Sequence, residues 1–239
     1  MIKIGTCGFT YKHFNYFDVV EVQQTFYDVV SEETLNKWRK QGKNIEFTIK
    51  ALQVITHEYN RTTYKKMKSD FGNKENFGFF KPTKEVFEAY EVTLKEAKIL
   101  NAKVIIFQTP SSFLPTEENV KNLKNFFSST DPSFIYGWEP RGEEWYKGDL
   151  LSKIFSELNI IHVVDPFRHI SLTKKKYYRL HGIGKGEVNY SYKYTDEDLK
   201  KLAEIVMQEK EDVYVLFNNI YSFDDALRFK KLIKDLNMQ

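Results

Sequence analysis

Eight short runs rich in β-branched and aromatic residues punctuate the chain, at residues 2–6, 18–23, 45–50, 103–108, 134–139, 160–165, 177–181 and 213–218, and each reads as a strand. Between several of them the apolar positions recur at helical spacing. Residues 31–38 open on Ser31 as an N-cap with an acidic first turn, and Leu35 with Trp38 begins an i,i+3 stripe. Val86, Tyr90, Leu94 and Ala97 repeat within residues 83–100. Leu199, Leu202 and Val206 follow a Thr195-Asp196-Glu197-Asp198 start, and Ala226, Phe229, Ile233 and Leu236 mark residues 222–236. Strand alternating with helix predicts a parallel sheet. Eight repeats of about 30 residues predict a TIM-type (β/α)8 barrel of the α/β class.

The barrel is expected to be irregular. The link between the third and fourth strands, 52–82, is a long insertion, and 169–176 is too short for a full helix. No Pro-, Gly- or Ser-rich linker interrupts the pattern, so residues 1–239 read as one barrel domain.

Composition narrows the function classes without naming a reaction. There are 36 Lys+Arg against 33 Asp+Glu, a net charge of +3 that does not by itself call for a polyanionic partner. Hydrophobic residues at 41% and aromatics at 16% supply a full core. The one cysteine, Cys7, excludes an internal disulfide framework and Cys-based zinc or iron–sulfur sites. No run reaches the roughly 18 apolar residues of a membrane helix, and no basic leader is visible, so the expectation is a cytoplasmic protein without a membrane partner.

Side chains two apart on a strand share a face, and at the C-terminal ends of barrel strands that face meets the active-site mouth. By this parity Glu21 with Gln23, Glu139, and Tyr177 with Arg179 and His181 point inward, joined by Lys50, Gln108 and Asn218. Two carboxylates, two cations and an imidazole around one mouth are kept either as a working site or as a satisfied interior ion lattice, because unpaired buried charge costs several kcal/mol.

Other features carry weaker chemistry. Gly182-Ile183-Gly184-Lys185-Gly186 follows the seventh strand, where barrels often hold phosphate, but it has neither Walker nor dinucleotide spacing, and a flexible turn is equally compatible. Residues 57–83 interleave Arg61, Lys65, Lys66, Lys68, Lys74 and Lys81 with Tyr59, Tyr64, Phe71, Phe77, Phe79 and Phe80, as a lid or nucleic-acid surface would; lysines on a solvated loop over tucked-in rings is the plainer reading. The five histidines form no HExxH or HxxxH spacing. Glu21, Glu139, Asp165 and His181 are oxygen and nitrogen donors suited to a divalent ion, but Lys50 and Arg179 would repel it, so no metal and no cofactor is expected.

Read in order, Gly5-Thr6-Cys7-Gly8-Phe9 with Tyr11, Glu21-Val22-Gln23-Gln24-Thr25-Phe26-Tyr27, Ile49-Lys50-Ala51 leading to Ile55-Thr56-His57, Phe107-Gln108-Thr109-Pro110, Glu139 with Arg141, Tyr178-Arg179-Leu180-His181-Gly182 and Phe217-Asn218-Asn219 resemble the YecE-like family nearly end to end. The resemblance implies a TIM-type barrel and adds Tyr27, His57 and Arg141 to the candidate pocket; it brings no established reaction. Phe9 stands where the family commonly has Trp, Cys7 where Ser is frequent, and Gln23 where Asn is frequent. Pro140-Arg141-Gly142 replaces aromatic-Arg-His, which removes one imidazole.

The expectation is an enzyme acting on a small anionic, phosphorylated or polyhydroxylated substrate, with hydrolase, isomerase and lyase chemistry level. Glu139 or Glu21 would serve as acid or base with His181 as proton partner. Lys50, Arg179, Arg141 and Lys185 would hold the anion, and Gln23, Tyr27, His57, Gln108 and Asn218 would line the pocket. The alternatives are a nucleic-acid-binding protein, with or without phosphodiester cleavage, and a non-catalytic ligand sensor. Oligomeric state is not legible.

Overall fold

A computed structural model describes residues 1–238. Eight strands run parallel, hydrogen-bonded in chain order as a closed barrel: β1 Ile2–Cys7, β2 Val19–Val22, β3 Glu46–Lys50, β4 Val104–Gln108, β5 Ile135–Glu139, β6 Ile161–Val164, β7 Lys176–Leu180 and β8 Val213–Phe217. Each matches an expected run. The second and sixth are each one residue shorter at both ends, and an aspartate stands next to each. Asp18 Oδ2 accepts from Ile4 N at 3.0 Å, and Asp165 accepts from Phe167 N at 3.0 Å and His181 N at 2.9 Å.

Eight α-helices are present among the described residues: α1 Gln24–Tyr27, α2 Glu32–Gln41, α3 Gln53–Thr56, α4 Lys84–Leu100, α5 Glu117–Ser128, α6 Leu150–Glu157, α7 Asp196–Met207 and α8 Ser222–Leu236. The caps are local chemistry. Thr83 accepts from Val86 N, and Thr195 with Asp198 forms a reciprocal capping box. Asn101, at φ 52°, closes α4 in the left-handed conformation. The insertion holds α3 and two 3-10 turns, Thr63–Lys66 and Lys74–Asn76. Neither the β1–β2 nor the β6–β7 connection contains an α-helix; the first has only a 3-10 turn, Tyr11–Asn15.

The chain packs as two compact units. One comprises Met1–Glu21, Gln41–Glu46 and the chain from Ile161 onward, and the other Val22–Lys40 and Phe47–Ile160. In the first, β1 pairs with β2 and β8, β8 with β7, and β7 with β6. In the second, β3 pairs with β4 and β4 with β5, over an aromatic core. There Phe80 lies 5.1 Å from Phe126, Phe107 5.3 Å from Phe127, and Trp138 4.9 Å from Trp145, ring centre to ring centre. Offset and edge-on contacts of this kind add to the burial of large apolar surfaces.

The second unit also buries a carboxyl. Glu96, on the inner face of α4, is 2% exposed; its Oε1 accepts from Val30 N at 2.8 Å and its Oε2 has no hydrogen-bond partner. Burial raises its pKa to about 8, with the Asp28 charge adding to the rise and the Val30 bond opposing it.

Candidate active site

In the first unit the inward positions of neighbouring strands form a polar column. Nearest the N-terminal ends, Lys3 and Tyr214 both donate to Glu46, Tyr214 at 2.7 Å. The Tyr214 ring stacks on Tyr177 at 5.2 Å, and the Tyr177 hydroxyl donates to Glu21 Oε2 at 2.8 Å. Glu21 Oε1 in turn accepts from Arg179 Nη2 at 2.9 Å, with neither side chain showing any accessible surface. The inward parity of Glu21, Tyr177 and Arg179 thus brings them together, with both charged side chains fully buried one residue before the ends of β2 and β7. In this arrangement Glu21 and Arg179 neutralise each other, as an interior ion pair requires.

One pleat further along β7 the column reaches the strand ends. His181 is 1% exposed; its backbone N donates to Asp165 Oδ2, and Asn218 Nδ2 lies 3.0 Å from its Nδ1. An amide donor there makes Nδ1 the acceptor and puts the ring proton on Nε2. The following loop is tied from several sides. Asn189 N donates to His181 O, Tyr194 OH accepts from Gly182 N, and Arg168 Nη2 donates to Gly182 O at 3.0 Å. Asn219 bridges Tyr192 O and Asp225, a fully buried carboxylate that also accepts from Tyr194 N. Gly182 has φ +87°, and a Cβ there would lie 2.0 Å from Asn189 O, so no other residue fits. Lys185 stands exposed at the tip of this loop.

In the second unit several candidate side chains sit at three consecutive strand ends. The β4–β5 register sets Gln108 beside Glu139, and Lys50 closes β3 next to them. Lys50 Nζ donates to Gln108 Oε1 at 3.1 Å and lies 3.8 Å from the centre of the Phe26 ring, a cation–π contact. Arg141 Nη2 bonds Glu139 Oε1 at 2.8 Å, their side chains 9% and 5% exposed. Backbone links hold the row in place: Thr25 Oγ1 donates to Lys50 O at 2.7 Å, and Thr109 N to Glu139 O at 3.1 Å. His57 packs edge-on against Phe26 at 5.1 Å, with Nδ1 2.8 Å from Thr56 Oγ1. Burial, and after it the Lys50 charge, lowers the His57 pKa to about 3, so the ring is neutral at physiological pH.

Tyr27 and Gln23 flank this row less tightly. Tyr27 is 37% exposed, 5.1 Å from Phe26, with Lys66 Nζ 4.6 Å above its ring, and Gln23 is half-buried at the start of α1. The insertion is anchored by its aromatic residues. Tyr64, Phe77 and Phe80 are buried, the Tyr64 hydroxyl donates to His57 O at 2.6 Å, and Asp28 accepts from Lys68 N and Ser69 N. Its exposed ring, Tyr59, carries Lys74 at 4.6 Å. Among the described residues no group of three or more His, Cys, Asp or Glu side chains is placed to hold a metal ion, and no helix is long and apolar enough to cross a membrane.

Several residues that shape these clusters were not singled out as site residues from the sequence. Phe26 supplies the ring beneath Lys50, and Asn219, Asp225 and Tyr194 fix the loop after β7. Phe26 and Asn219 stand inside fragments that carried the family resemblance. For Asp225, on the first turn of α8, and Tyr194, just before α7, nothing in the local pattern separates a cap or turn residue from an interior anchor.

Comparison with known proteins agrees with this architecture. The family model described as "Protein of unknown function DUF72" matches residues 4–239. The UPF0759 protein YunF of Bacillus subtilis is 25% identical over 256 residues, covering 94% of this chain and 85% of that one. A DUF72 family protein of Enterococcus faecalis superposes with a TM-score of 0.73 at 21% identity, with 98% of each chain covered. A DUF72 family protein of Thermotoga maritima gives 0.71 at 24% identity, with 98% of this chain and 99% of that chain covered. With a family model spanning nearly every residue and relatives of the same barrel matched end to end, this chain belongs to the DUF72 family, to which the YecE-like fragments also point.

Proposed function

We propose that the protein is an enzyme that acts on a small anionic substrate, phosphorylated or polyhydroxylated, by acid–base chemistry at the C-terminal strand ends. The observation that carries this reading is the row Lys50–Gln108–Glu139–Arg141. Two cations and a carboxylate are nearly buried at adjacent strand ends, where a barrel places its chemistry. Removing ions from water is costly, and a hydrophobic row would pack the same space without that penalty.

The arrangement supports a definite division of labour. Lys50 and Arg141 hold the substrate anion, and Gln108 orients it. When Arg141 turns from Glu139 to the incoming anion, the carboxylate loses its counter-ion and its basicity rises, so binding itself arms Glu139 as the base. Neutral His57 adds no positive charge beside Lys50 and stays able to donate or accept a hydrogen bond. Glu21, Tyr177 and Arg179 act as positioning residues that hold the interior of β2 and β7, while His181 presents an imidazole whose Nδ1 is already engaged by Asn218.

Native mass spectrometry of gently purified protein, followed by incubation in heavy water with a panel of sugar phosphates and hydroxy acids, tests this directly. The expected outcome is a bound small anion and substrate deuteration. Glu139→Gln should slow exchange at least about 100-fold while binding persists, and Lys50→Met should weaken binding. Exchange unchanged in Glu139→Gln would refute the assignment. Co-purifying polynucleotide that salt removes would favour the nucleic-acid reading instead.

A further inference from the structure

α8 has an apolar face and, beside it, a mixed one. Ala226, Phe229 and Ile233 recur at i, i+3 and i+7 and are buried, as the helix requires to pack on the barrel. Beside that face runs a second stripe, Leu227, Lys231 and Lys234, continuing to Met238, in which Leu227 is 37% and Met238 76% exposed. This stripe forms one wall of a groove of about 770 Å³. Ile2 and Ile4 of β1 and Ile233 make the floor, and Asn15, Tyr16 and Asp18 of the β1–β2 connection contribute the other lining.

The groove exists because of the missing helix. In a (β/α)8 barrel each strand is followed by a helix that covers the outer face of the sheet. The connection after β1 has only the five-residue turn Tyr11–Asn15, which is too short to cover the strand it leaves. Ile4 and Ile233 are nonetheless almost fully buried, and the apolar surface left open along the groove belongs to Ile2, Tyr16, Leu227 and Met238.

The polar lining is one-sided in charge: Arg228, Lys230, Lys231 and Lys234 against Asp18. Two of the cations are engaged within the chain. Lys230 pairs with Asp18 at 2.7 Å and with Tyr16 O at 3.0 Å, and Arg228 with Asp225 at 3.0 Å and with Asp196. Lys231 and Lys234 make no ion pair among the described residues and stand exposed three positions apart, on one side of α8. Side chains at that spacing are neighbours, so they match two carboxylates one turn apart on another helix.

We propose that this groove is a docking site for an amphipathic, acidic α-helix of a partner protein. Leu, Ile or Phe side chains at i, i+4 and i+7 lie on Ile2, Tyr16 and Leu227, and Glu or Asp residues flanking them meet Lys231 and Lys234. The docked helix completes the outer ring, in the helix-in-groove mode of recognition. The charge match sets orientation and speeds encounter, while the apolar floor supplies most of the affinity.

The test uses the full chain and fluorescein-labelled, hydrocarbon-stapled peptides of about 16 residues, long enough for four turns, with Leu at i, i+4 and i+7 and Glu beside them. Fluorescence anisotropy at low salt should show saturable binding with Kd below about 0.1 mM. The double variant Lys231→Glu/Lys234→Glu should weaken it at least about tenfold and instead bind the peptide whose Glu residues are replaced by Lys. Leu227→Asp, also on the exposed wall, should abolish binding of both peptides. Unchanged thermal melting of the variants separates these losses from unfolding. No saturation below about 1 mM, or equal binding by wild type and double variant, overturns the proposal. Sub-millimolar binding of dodecanoate without peptide binding replaces the helix with an acyl chain. A dimer in sedimentation velocity that the double variant abolishes replaces the partner with a second copy.

Discussion

Glu96 makes the stability of this protein depend on pH in a direction that a single substitution can remove. The carboxyl is 2% exposed and hydrogen-bonded through one oxygen only, and its pKa is raised to about 8 from the ordinary 4.5 of a glutamate in water. Between about pH 4.5 and 8 the folded chain keeps a proton that the unfolded chain has released. The folded state therefore binds more protons, and unfolding free energy falls as pH rises through this window, levelling below 4.5 and above 8. A difference of about 3.5 in pKa, at about 1.36 kcal/mol each, sets an upper value of about 5 kcal/mol for the stability lost across it.

Glu96→Gln keeps an oxygen for Val30 N and carries no titrating proton, so it removes this slope. Urea denaturation followed by the fluorescence of buried Trp138 and Trp145, at several pH values from 5 to 9, measures it. Groups common to both proteins cancel in the comparison. The variant should be close to wild type at pH 5 and more stable by several kcal/mol at pH 8.5. Parallel pH profiles for the two proteins would refute the reasoning, since they would show that Glu96 ionises in the folded state as easily as in water.

Two other substitutions probe the clusters. Arg179→Met should cost about 3–5 kcal/mol by leaving the Glu21 carboxylate buried without its guanidinium, and Glu21→Gln/Arg179→Met should recover much of that loss in a double-mutant cycle; additive losses would show that the pair is not coupled. His57 should stay neutral by nitrogen NMR down to about pH 4, consistent with its lowered pKa of about 3, and Lys50→Met should move its titration upward. Because its folded pKa lies below that of the unfolded chain, His57 contributes stability that is lost as pH falls from about 6.5 toward 3, and a His57→Phe variant should lack that part of the acid slope.

The sequence by itself determined the strands, the helices α2, α4, α7 and α8, and the class of barrel. Alternation with period two and 3.6 is a local property, and a strand such as Val104–Gln108 or a helix opened by Thr195 and Asp198 needs no distant partner to be recognised. Parity along strands carried equally well, placing Glu21, Tyr177 and Arg179 on one inner face, because the pleat propagates through a few residues. Depth was decided only by tertiary structure. Glu21 meets Arg179 and His181 meets Asn218, the first three buried and Asn218 half-buried, because of how neighbouring strands are staggered, and stagger is set by pairing between segments far apart in the chain. The same holds for contacts made by loops and helix faces. Lys50 over Phe26, Asp225 under the loop after β7, Glu96 against Val30, and the groove left uncovered beside α8 each depend on which surfaces the closed sheet brings together. That is a matter of packing in three dimensions, which no local period records.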